Sequence, residues 1–153
     1  MEFYRDGSLR DIYVFETDLE DWRKMATFVG RNYQFTFCGE WREATFPPEI
    51  AVLFPRNDES ALTMLAIDVT GVRVNCHFFD AREIELDLDP ADVRDPSALN
   101  GIFTFMKGLA RSVEKDVLLT PENMREIAIF RCRPREDLIE HAPFGGFSLP
   151  APR

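Results

Sequence analysis

Between residues 62 and 89 the chain carries three runs of alternating apolar and polar side chains, separated by two turn signals. Period two is the mark of an extended chain, because successive side chains of a strand leave on opposite faces. The last run is the clearest: Glu83, Glu85, Asp87 and Asp89 alternate with Ile84, Leu86 and Leu88. Thr70-Gly71 joins the first two runs as a two-residue hairpin loop. That loop sets Val69 opposite Val72, Ile67 opposite Val74 and Leu65 opposite Cys76. It also sets Asp68 opposite Arg73, Ala66 opposite Asn75 and Met64 opposite His77. A turn at Asp80-Ala81-Arg82 aligns Phe79 with Glu83, Phe78 with Ile84, Cys76 with Leu86 and Val74 with Leu88. Two independent turns gather the apolar set on one face, and a one-residue slip of either would scatter it. The expectation is an antiparallel meander with one dry face and one face of acids spaced about 7 Å apart along the strand.

The flanking segments supply the other layer. Residues 11–16 read as an apolar, central strand. Thr17 and Glu20 have capping-box spacing, and Leu19, Trp22, Ala26 and Val29 recur at helical intervals as far as Gly30. Residues 33–38 and 41–46 read as a hairpin, 50–54 as a short apolar strand and 55–60 as a loop. Asp95-Pro96 offers an N-cap and a first-turn proline to a second helix reaching about Lys115. Its apolar stripe contains Leu99, Ile102, Phe103, Met106, Leu109 and Val113. Gly101 and Gly108 cost that helix roughly 1 kcal/mol each relative to Ala, which close backbone packing can offset. Residues 117–120 and 127–132 read as two last strands. The order implies an α+β fold, a mostly antiparallel sheet with two main helices packed on one face. Residues 1–142 are expected to form a single domain and 143–153 an irregular Pro/Gly-rich tail.

Composition narrows the function classes. A chain of 153 residues can bury a core without staples. Its net charge of −9 repels phosphates, so no nucleic-acid partner is expected. The short basic segment Arg131-Cys132-Arg133-Pro134-Arg135 abuts Glu136 and Asp137 and reads as a solvated strand end. Three cysteines, Cys38, Cys76 and Cys132, give neither a disulfide framework nor a zinc spacing. Buried free thiols suit a reducing, cytoplasmic setting. No apolar run reaches spanning length and no leader-like segment follows Met1, so neither membrane insertion nor secretion is expected. Fourteen Phe residues imply a dense aromatic core, or else a pocket for an apolar ligand.

The acid face carries the candidate chemistry. The register places Arg73, Asn75, His77, Phe79, Glu83, Glu85, Asp87 and Asp89 together, with His77 across from Glu85 and Arg73 across from both Asp68 and Asp89. A histidine beside carboxylates is raw material for a general base or a metal site. Carboxylates on alternate positions of one strand, however, point out in parallel and do not converge. Adjacent charges 7 Å apart repel by roughly 0.6 kcal/mol in water, so the row costs little and needs no function to sustain it. No nucleophile or phosphate-loop motif is present. His141 reads as an exposed helix end or loop, Trp22 as core, and Trp41 as a hairpin-tip aromatic able to anchor an interface.

These features favour a small acidic cytoplasmic protein that binds a basic protein partner without catalysis, through Glu83, Glu85, Asp87, Asp89, His77 and Trp41. In size and charge alone the chain is similar to immunity proteins and antitoxin-like inhibitors. No cofactor is called for. The alternatives are a metal-dependent enzyme or metal-binding protein centred on His77, Glu85 and Asp87, and a carrier of an apolar ligand. Oligomeric state is not readable from these residues.

Overall fold

The computed structural model describes residues 7–55 and 63–141. In chain order the elements are β1 (Arg10–Phe15), α1 (Leu19–Asn32), β2 (Gln34–Cys38), β3 (Met64–Val69), β4 (Val72–His77), β5 (Glu83–Leu88), α2 (Pro96–Val113), β6 (Val117–Pro121), β7 (Phe130–Cys132) and β8 (Glu140–His141). Among the described residues the eight strands make one sheet, in the order β2-β3-β4-β5-β1-β6-β7-β8. Every neighbouring pair is antiparallel. This is the α+β arrangement expected, with β1 in the interior of the sheet. The tail expected over 143–153 and all but the first residue of the 55–60 loop lie outside the described residues.

The β3–β4 register is the one the Thr70-Gly71 loop dictates, from Val69 opposite Val72 to Met64 opposite His77. Both loop residues have positive φ, 51° and 85°, as a primed turn demands. Asp68 Oδ1 accepts from the Gly71 amide at 2.8 Å and fastens the turn. β4 and β5 pair Val74 with Leu88, Asn75 with Asp87, Cys76 with Leu86 and His77 with Glu85. The strands part beyond His77, so the outermost expected pairs, Phe78 with Ile84 and Phe79 with Glu83, are not ladder pairs. Arg73 and Asp89 do not pair either, because β5 stops at Leu88. Leu65, Ile67 and Val69 of β3, Val72, Val74 and Cys76 of β4, and Ile84, Leu86 and Leu88 of β5 are all 0% exposed. They share one core with the apolar stripes of both helices, which include Trp22, Met25 and Val29 from α1 and Ile102, Phe105 and Leu109 from α2.

Several local readings are corrected. The N-cap of α1 is Asp18, which forms a reciprocal capping box with Asp21. Thr17 reaches across the fold instead, its hydroxyl donating to the Ala81 carbonyl at 2.8 Å. The Trp22 indole donates to the same carbonyl at 3.0 Å, which pins the start of α1 over the β4–β5 connection. α1 runs past Gly30 to Asn32, and the Tyr33 amide caps it by donating to the Val29 carbonyl. Residues 41–46 are not a strand. Phe46 turns back onto Phe35 and Phe37, with ring centroids 5.0 and 5.1 Å away, and that packing replaces strand pairing. Ile50–Leu53 is a 3-10 helix rather than a strand, directing Ile50 and Leu53 into the core. Of 127–132 only Phe130–Cys132 is strand, and His141 lies on edge strand β8, not in a loop or helix end. Cys76 and Cys132 are buried, but Cys38 is exposed.

Both glycines of α2 sit at close approaches. A Cβ at Gly108 would come within 2.4 Å of the Phe28 ring on α1, and one at Gly101 within 1.8 Å of the Thr70 hydroxyl. The helix tolerates them because a larger residue would push α2 off α1 and off the β3–β4 turn.

Candidate functional site

The helix-free face of the sheet is built from three central strands. β1 contributes Asp11, Tyr13 and Phe15; β5 contributes Asp87, Glu85 and Glu83, one opposite each. β4 adds Asn75 opposite Asp87 and His77 opposite Glu85. The parity that buries Ile84, Leu86 and Leu88 puts all of these side chains on the other side.

A hydrogen-bonded chain runs across the strands. Arg73 Nε donates to Asn75 Oδ1 at 2.8 Å, and Asn75 Nδ2 donates to Asp87 Oδ1 at 3.0 Å. His77 Nε2 bonds to Asp87 Oδ2 at 2.5 Å. The partner of His77 is thus the diagonal Asp87 and not Glu85, its opposite number. Their side chains are only 21% and 14% exposed, so the pair is partly withdrawn from water. Asp87 acting as acceptor places the neutral imidazole's proton on Nε2, which leaves Nδ1 to take up the second proton. The bond to Asp87 raises the His77 pKa above its ordinary 6.5, against the opposing effect of burial. Burial alone would raise Asp87, but the bonds from His77 and Asn75 outweigh it and hold that carboxyl below its ordinary range.

The neighbouring acids differ. Burial, reinforced by Glu83, pushes Glu85 up, although the Tyr13 hydroxyl donates to its Oε1 at 3.4 Å. Burial also pushes Asp11 up, opposed by the Asn123 amide, which donates to Asp11 Oδ2 at 2.9 Å. Glu83 is ion-paired with Arg125. The Arg125 guanidinium lies over the Phe15 and Tyr13 rings, 5.0 and 5.5 Å from their centroids, and those rings stack on each other 5.2 Å apart. The connection between β6 and β7 therefore folds back over the β1–β5 end of the face.

No family model, curated protein or solved structure matches the chain.

The acid row is not the freely solvated strip that alternation implied. Glu83 and Glu85 are half-covered, Asp87 is saturated by His77 and Asn75, and Tyr13 and Asp11 are buried among them. Asp89 leaves the row: its carboxylate caps a short 3-10 helix, Pro90–Asp92, by accepting from the Ala91 amide. Trp41 is not at a hairpin tip. Its amide donates to Thr63 Oγ1 and its indole to the Thr45 carbonyl, and the half-buried ring packs against the core. Arg131 is ion-paired with Glu140, and Arg133 with Glu136 and Glu140, so two of the three arginines of the basic segment are neutralised in place. Sequence reasoning missed Asp11, Tyr13 and Phe15, although their alternation with Ile12 and Val14 was there to read. Arg125 and Asn123 gave no local signal, because only the fold brings them to β1 and β5.

What remains accessible is an aromatic step beside the acids. Phe79 is 47% exposed and stacks on the His77 ring, with centroids 5.0 Å apart and planes nearly parallel at 6°. Among the described residues no group of three or more His, Cys, Asp or Glu is placed to hold a metal ion. Cys76 lies behind the sheet, where burial pushes its thiol up and keeps it unreactive. The Phe content is consumed largely in ring-on-ring contacts such as Trp22–Phe54, Trp22–Phe78 and Phe28–Phe105. A groove of about 340 Å³ lies on the outer side of α1, lined by residues such as Arg23, Lys24, Phe28 and Ser112. No helix among the described residues is long and apolar enough to cross a membrane.

Proposed function

We propose that this chain is a non-catalytic protein-binding module, cytoplasmic and inhibitor-like in scale, that meets a basic partner through the helix-free face of its sheet. The contact centre is Phe79 with His77, flanked by Glu85, Asp87 and Glu83. The observation that carries the reading is the exposed Phe79 ring lying flat on an imidazole whose other side is tied to Asp87. An aromatic anchor held rigid and ringed by half-buried carboxylates is the composition of an interface centre with a charged rim. Glu83 is held by Arg125 and Asp87 by His77 and Asn75, so the carboxylates turn to different neighbours and not to one point, which suits a surface of basic side chains better than a single bound ion. Glu85 is poised to gain most, because a partner cation would relieve a carboxylate that burial now holds in an unfavourable charged state.

The test is capture from a native lysate with wild-type protein, Phe79→Asp and Glu85→Lys, followed by stopped-flow association with the purified partner. The expected result is one basic protein retained by the wild type and lost by both variants. Its association rate should fall by about tenfold or more from low to high salt. A partner held equally by all three proteins, at a rate indifferent to salt, would refute this face as the binding surface.

A further inference from the structure

We propose that the His77 and Phe79 rings, together with the Glu85 carboxylate, form a seat for an arginine side chain of the partner, the counterpart of a seat that Arg125 fills on the same face. The inference rests on the protein-binding reading above and adds the chemistry of the residue that the partner presents.

On this face β5 is flanked by two stacked ring pairs. On one side β1 sets Tyr13 opposite Glu85 and Phe15 opposite Glu83. On the other, β4 sets His77 opposite Glu85, and Phe79 follows two residues later. The two pairs have nearly the same geometry. Tyr13 and Phe15 lie 5.2 Å apart at 15°, His77 and Phe79 5.0 Å apart at 6°.

The β1 pair shows what such an arrangement takes. The Arg125 guanidinium lies over the Phe15 and Tyr13 rings and is ion-paired with Glu83. A planar guanidinium can rest on a ring and grip a carboxylate at once, whereas the compact, strongly hydrated ammonium of lysine has no flat face to offer. The β4 pair has the same two components. Among the described residues no cation lies over its rings, and Glu85 has no ion pair; Tyr13 alone donates to that carboxylate. Asp87 is already matched by His77 and Asn75, which leaves Glu85 as the acid that meets an incoming charge. The arginines on either side in sequence are turned elsewhere, Arg73 to Asn75 and Arg82 to Asp80. Glu85 is also half-covered, and guanidinium gives up its water more readily than ammonium does beside such a carboxylate.

The test is titration of the isotope-labelled full chain with two capped tripeptides, acetyl-Gly-Arg-Gly-amide and acetyl-Gly-Lys-Gly-amide, read by NMR at the His77 and Phe79 rings. The arginine peptide should give saturable shifts at both rings and bind about fivefold or more tighter than the lysine peptide. Phe79→Ala, at an exposed position, and Glu85→Gln should each weaken arginine binding by about fivefold or more, with the remaining amide spectrum unchanged. Arg125→Ala should add a second saturable set of shifts at Tyr13 and Phe15 and keep the first. Absence of saturable shifts at His77 and Phe79, equal affinity for the two peptides, indifference to Glu85→Gln, or no second set in Arg125→Ala would each overturn the proposal. A basic protein retained through Phe79 by a chain that prefers neither peptide would leave the protein-binding reading standing and remove the arginine seat. Preference for arginine with no protein retained would do the reverse.

Discussion

His77 and Asp87 shift one another's titration in opposite directions, and the sign of each shift fixes where it contributes. His77 has its folded pKa raised above 6.5. Its stabilisation is complete below 6.5 and is lost as pH rises through the raised folded value. Asp87 is depressed below 3.8, so its contribution is present above 3.8 and is lost as pH falls through the lower folded value. The two overlap between about 4 and 6.5. His77→Gln should therefore lower the melting temperature most within that window, and the gap to wild type should narrow as pH rises beyond it. Thermal melts of both proteins across pH 4–9 test this; a gap that stays constant with pH would mean that His77 contributes packing on Phe79 and no charge. At this scale the sequence was legible only in part. The face of His77 followed from two turns, but its choice of Asp87 over Glu85 depends on how β4 and β5 twist past one another, which alternation does not encode.

At the scale of elements, α2 carries two glycines for steric reasons and α1 carries one without such a constraint. Gly108 faces the Phe28 ring, whereas a Cβ on Gly30 would meet nothing within 4 Å. Gly108→Ala should thus destabilise by roughly 1–3 kcal/mol despite a better helix propensity, as overpacking does. Gly30→Ala should stabilise by about 0.5–1 kcal/mol, the propensity gain alone. Urea denaturation of the two variants separates the effects, and a stabilising Gly108→Ala would show that Phe28 yields freely. Elements whose signal was local and redundant were read correctly: the meander, α1 and α2. Errors fell where one local cue had two outcomes. Thr17 and Asp18 are both competent caps, and the fold chose Asp18 because Thr17 is needed by Ala81. The four-residue run Ile50–Leu53 has no period to discriminate strand from helical turn. In 41–46 the alternation belongs to a loop whose Phe46 is drawn to Phe35 and Phe37.

Over the whole molecule, acidic charge exceeds basic by nine, and several of the basic side chains are already committed. The pairs of Arg23 with Glu20 and Arg82 with Asp80 are exposed and contribute little. Repulsion among the surplus acids is then the larger electrostatic effect, and salt screens it. The melting temperature should rise by roughly 2–4 °C between low salt and about 0.3 M NaCl. A fall in scanning calorimetry would mean that the ion pairs, with Arg125–Glu83 foremost, outweigh the repulsion. This global balance could be read from composition, but the Arg125 contact that covers one end of the acid face could not. It depends on the β6–β7 connection reaching β1 and β5, strands that lie far apart in the sequence.

β1 is made first and fitted last. Ile12 takes Leu86 as its neighbour on one side and Leu119 on the other, so a growing chain holds this apolar segment without its second flank until more than a hundred further residues have been added. At ordinary rates of synthesis that wait is on the order of ten seconds. During it the segment is the chain's most exposed liability, and whatever shields it on the ribosome decides how much of the protein reaches its final form.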